Sequence, residues 1–218
     1  MIRLLLSAVL AGSVQTASAA EPIVDYRDRN FRISEASPAP AERARLARVL
    51  AEEAPIALRT ELGPAFVVLG DAKGAFTRPG TRERIYLVQE KRPVAIEPFP
   101  NAAAPVLVVL AEGMPARFFR LPKDVQYQRL VAAADADRDG RSEVLVESAF
   151  ANMGESVTAL TAVKLDPGGG VATPIQVIKD VFADSCEGGS TRRTRTAAAV
   201  FLESSGTFVA RRHTLGCR

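Results

Sequence analysis

Tryptophan is absent from the chain, histidine occurs once, and cysteine occurs twice. Each shortage removes a class of function. With no Trp, 3 Tyr and 10 Phe, the flat rings on which carbohydrate enzymes stack their sugars are scarce. The single histidine, His213, follows two arginines and precedes the last cysteine, so it reads as an exposed strand residue. A nucleophilic thiol in DSCEGGS would have only His213 as its base. The G-x-S-x-G turn of serine hydrolases is missing, and no His/Cys set has zinc spacing. No residue is assigned a catalytic role. Paired carboxylates of the glycosidase kind leave no local signature. A small secreted or periplasmic hydrolase is therefore the alternative reading, with Glu147 as its candidate by location alone.

Charge of one sign is also lacking. Lys and Arg number 28 against 25 Asp and Glu, and only TRRTRT at 191–196 is locally basic. Nucleic-acid binding needs a concentrated basic face, so no nucleic-acid partner is expected. Long apolar runs are confined to the start, MIRLLLSAVLAGSVQTASAA. Its basic residue, short apolar core and A-x-A ending read as a signal peptide over 1–20, cut after Ala19 or Ala20. No integral membrane segment is expected after cleavage, and the expected location is periplasmic or secreted. Two cysteines in an exported chain predict a Cys186–Cys217 disulfide.

What remains divides into an N-terminal extension with a helix, 21–63, and a β-rich domain, 64–218. In SPAPAERARLARVLAEEAP, Ser37 can cap, Pro38 suits the first turn and Pro55 stops the run. Leu46, Val49, Leu50 and Ala54 form one stripe of that helix. After Pro64 come ten short β-prone runs, from AFVVLG to TFVARRH, punctuated by Gly, Pro, Asp and Asn. DPGGG and SSG read as hairpin turns. The expected fold is all-β, mainly antiparallel, with sandwich-like or partial-propeller sheet units and one N-terminal amphipathic helix. A faint period of 60 aligns Gly80 with Gly140, Glu83 with Glu143 and Ile85 with Leu145, and 189–201 is a poorer third copy.

The densest signal is DADRDGRSE, which sets Asp135, Asp137 and Asp139 at alternate positions before Gly140 and Glu143. Like charges so close repel unless a cation lies among them. A tight loop converges alternate side chains on one centre, and a hard cation takes six to eight oxygens at about 2.3–2.6 Å. With no His or Cys nearby, calcium is the expected ion. An EF-hand would need a glutamate where Val146 stands and a helix where VLVES follows. The nine residues resemble the calcium loops of FG-GAP and integrin-type β-propeller repeats, which run directly into a strand. The resemblance implies a calcium loop held by Asp135, Asp137, Asp139, the Arg141 carbonyl and Glu143. The earlier copy, GDAKGAFTRPGTRE, keeps Asp71 and Glu83 without the aspartate cluster and is expected not to bind calcium.

Beyond the motif, SAFANMGES at 148–156 reads as a loop. It either displays Phe150, Asn152 and Met153 for recognition or is a hairpin connection with Phe150 tucked into the core. The expected function is a calcium-binding, non-enzymatic binding or structural module with a protein or glycan partner.

Overall fold

The computed structural model describes residues 21–34, 38–91, 104–187 and 193–217. The segment expected as a signal peptide, 1–20, the expected cap Ser37 and all of 189–192 lie outside them. Among the described residues, eleven strands and three helices follow in order: β1 (Val24–Asp25), α1 (Arg29–Ile33), α2 (Pro40–Glu52), α3 (Ile56–Leu62), β2 (Phe66–Gly74), β3 (Glu83–Glu90), β4 (Val106–Ala111), β5 (Arg117–Arg120), β6 (Tyr127–Ala134), β7 (Glu143–Asn152), β8 (Glu155–Asp166), β9 (Val171–Asp184), β10 (Arg195–Leu202) and β11 (Phe208–Leu215). All ten expected strand runs are strands.

Strand order explains the architecture. The sheet runs β2-β3-β4-β5-β9-β8-β7-β6. All neighbours are antiparallel except β5 and β9, which meet in parallel at Arg120 and Val171. The molecule is therefore two four-stranded meanders joined last strand to last strand. Their first strands, β2 and β6, return to each other, so one sheet nearly closes on itself. The all-β, mainly antiparallel class holds, with the sheet units joined edge to edge. Closure fills the interior with alternate residues of every strand: Ile85, Leu87, Leu107, Val109, Phe119, Val144, Val146 and Val163 are all buried there.

The outer faces need cover as well, because β3, β4 and β7 carry apolar residues on both sides. Over the first meander lie α2 and α3. Pro40 opens α2 at a position where its missing N–H costs nothing. The predicted stripe of Leu46, Val49, Leu50 and Ala54 is buried against Tyr86, Val88 and Val108. Pro55 ends one helix and caps the next, so α3 is an element that the stop signal concealed. Over the second meander lie β1, β10 and β11, packing Tyr26, Ala198, Val200 and Phe208 against Leu145, Leu160 and Ala162. The Cys186–Cys217 disulfide is present and ties the end of β9 to the end of β11.

The period of 60 is structural at the hairpins and fails beyond them. Gly80 and Gly140 both adopt left-handed φ, 73° and 84°. Glu83 and Glu143 both begin the second strand of their hairpin and are buried. Ile85, however, faces the interior, whereas Leu145 faces outward. Side chains alternate along a strand, so a slip of one residue exchanges faces. The two second strands thus turn opposite faces inward, although both ladders pair regularly from the glutamate to the compared residue.

Candidate metal centre

The loops of β2–β3 and β6–β7 lie side by side at one end of the near-closed sheet. Ser142 N donates to Ala75 O at 2.6 Å. A Cβ on Gly140 would stand 2.9 Å from the Pro79 ring, and one on Gly206, in the β10–β11 turn, 2.7 Å from Ala136 O. Three hairpins thus converge on residues 135–143.

Within that loop the aspartates first satisfy their own backbone. Asp135 Oδ2 accepts from Gly140 N (3.0 Å), Asp137 Oδ1 from Asp139 N (3.2 Å) and Asp139 Oδ1 from Arg141 N (2.8 Å). Arg138 and Gly140 supply the left-handed conformations that close the turn. The arrangement brings together carboxylate oxygens of Asp135, Asp137 and Glu143, all within 4.8 Å of one another. This acidic group can hold a metal ion. Asp139 is not in that group: its Oδ2 is held by the Arg141 guanidinium at 2.9 Å and by Lys164 Nζ at 2.8 Å. Lys164 first, then Arg141, hold its carboxyl below the usual carboxylate range.

Glu143 differs from its counterpart. Glu83 accepts from Phe76 N, from Thr77 N (2.8 Å) and from the Thr77 hydroxyl, so both of its oxygens are satisfied. Glu143 is 1 % exposed and accepts one bond, Ala136 N to Oε2 at 2.7 Å. Its Oε1, and the Oδ1 of Asp135, are buried with no hydrogen-bond partner. Burial raises the Glu143 pKa above the ordinary glutamate value. Two orphaned buried carboxylate oxygens are costly unless a cation meets them. The donor set fits a hard, oxygen-seeking ion.

Lys164 was missed by sequence reading. The Val144–Val163 pair of the β7–β8 ladder brings the next residue, Lys164, beside Glu143. Its Nζ contacts Asp137 and stands 4.0 Å from Glu143 Oε1. A separation of 21 residues leaves no local signal.

The other singled-out residues divide. Glu147 accepts from the Tyr26 hydroxyl and from Arg129 Nη2, both at 2.7 Å, while Arg129 Nη1 also donates to Phe31 O. It fastens the N-terminal segment to β6 and β7. Segment 148–156 is the end of the β7–β8 hairpin, as one of its two readings had it, paired as far as Asn152 and Glu155. Phe150 is 69 % exposed, and Met153, at the tip, is 88 % exposed. The reading that places Phe150 in the core is excluded. His213 is exposed, near the Arg27 guanidinium.

No family model matches the chain, and no curated protein or solved structure matches it either. Among the described residues, no helix is long and apolar enough to cross a membrane.

Proposed function

We propose that the chain is an exported, calcium-binding β-rich module with a binding or structural rather than a catalytic role. One observation carries the reading: the unpartnered, buried Asp135 Oδ1 and Glu143 Oε1 belong to one acidic group. Asp135, Asp137 and Glu143 would hold the ion, with the Arg141 carbonyl completing the set. Bound calcium would neutralise the acids and lock three converging hairpins together. The disulfide supports an oxidising compartment, as an exported chain would meet. At the far end of β7, Phe150, Asn152 and Met153 offer the exposed tip through which a protein or glycan would be recognised. The FG-GAP-like character of the loop rests on its residues alone.

The test is thermal. The mature chain, stripped with EGTA, is melted with and without millimolar calcium, beside Asp137→Ala. A ligand at a hundredfold excess over its Kd adds about 2.7 kcal/mol. For a chain of this size the midpoint should rise by about 5–10 degrees in the wild type and not in the variant. An unmoved wild-type midpoint would sink the reading.

A further inference from the structure

The acids of the loop already have one positive neighbour, and it sits in the path of any other. Lys164 Nζ contacts Asp137 Oδ2, lies 2.8 Å from Asp139 Oδ2, and reaches no nearer than 4.0 Å to Glu143 Oε1. The ammonium therefore covers the outer half of the acidic group and leaves the inner half unmet. Asp135 Oδ1 and Glu143 Oε1 stay without partners even with Lys164 in place. The backbone of Lys164 is fixed by pairing on β8, but its side chain is 30 % exposed and has four rotatable carbons toward solvent. An ion that bridges Asp135, Asp137 and Glu143 needs the Asp137 carboxylate, which Lys164 now holds. Two such charges cannot share it without strong repulsion.

Resting on the cation reading above, we propose that Lys164 is a tethered competitor for a divalent cation. The site has two states. In one, the ammonium closes the loop over Asp137 and Asp139. In the other, a divalent cation takes Asp137 together with the two inner oxygens, and Lys164 swings into solvent. Asp139 keeps Arg141 as its partner in both. Calcium affinity is consequently lower than the acids alone would give, and calcium binding bares the lysine.

Calorimetric titration of calcium chloride into the full mature chain, Lys164→Met and Asp137→Ala, at one ionic strength, tests this. Lys164→Met should bind about tenfold more tightly than the wild type, and Asp137→Ala should not bind. A second measurement uses the unmodified chain: acetylation of Lys164, followed by mass spectrometry, should become several-fold faster when calcium is added. Equal affinities for wild type and Lys164→Met, with unchanged labelling, would overturn the competition and leave the cation site standing. Absence of calcium binding in every chain would overturn the cation reading and the competition with it. If Lys164→Met does not fold, the labelling rate decides alone: faster with calcium upholds the proposal, unchanged or slower overturns it.

Discussion

Glu83 and Glu143 start equivalent strands with the same side chain and end in different electrostatic states. Thr77 and two backbone amides satisfy the first, whereas Asp135 and Asp137 surround the second. The consequence is a testable sign. Burial raises the folded-state pKa of Glu143, so the folded state binds that proton more tightly than the unfolded state. The associated stability is present below the ordinary glutamate pKa and is lost as pH rises through the raised value. The charged form of Glu143 is thus disfavoured in the metal-free folded chain, where its Oε1 has no hydrogen-bond partner. Glu143→Gln keeps an acceptor for Ala136 N and removes the charge. In EGTA at pH 7 its midpoint in scanning calorimetry should lie a few degrees above wild type, about 1 kcal/mol, and calcium should add nothing. A midpoint below wild type would mean that Lys164 already meets the charge.

At the scale of elements, closure of the sheet depends on how near β2 comes to β6. Gly70 has φ 137°, and a Cβ there would lie 2.3 Å from the backbone oxygen of Leu130. That backbone cannot yield without parting the strands. Gly70→Ala should cost about 3 kcal/mol or more in urea denaturation. Gly80 has a left-handed φ but nothing within 4 Å of the added atom. Gly80→Ala should cost about 1 kcal/mol, the backbone penalty alone. Equal losses would mean that the β2–β6 approach does not limit closure. The strands themselves were legible because each is a short run of β-prone residues bounded by turn residues. One element was not. The α3 helix hid behind Pro55, whose cap role and stop role look alike in text. The β7–β8 hairpin was legible as a connection through the turn-prone Asn152, Met153 and Gly154, and its flanks pair fully, but the exposure of Phe150 was not.

For the whole molecule, the disulfide joins positions 31 apart and holds the C-terminal end against the end of β9. The chain-entropy estimate for such a loop is about 3–4 kcal/mol. Reduction, or Cys186→Ser with Cys217→Ser, should lower the calorimetric midpoint by about 10 degrees. Because the bridge lies outside the loop at 135–143, the calcium-induced shift should persist in the reduced chain. Loss of both together would show that the β10–β11 sheet, whose turn brings Gly206 close to Ala136, must be seated for the loop to form.

Local order along the chain determined the strands, the α2 stripe, the cysteine pair and the clustering of acids, because each depends on residues a few positions apart or on counting. Tertiary structure alone decided that two meanders close on each other and that Ile85 and Leu145 face opposite sides. It also placed Lys164 among the aspartates. Those outcomes depend on register, where a one-residue bulge reverses every face, and on pairing between strands far apart in sequence. Neither leaves a mark in the run of residues itself.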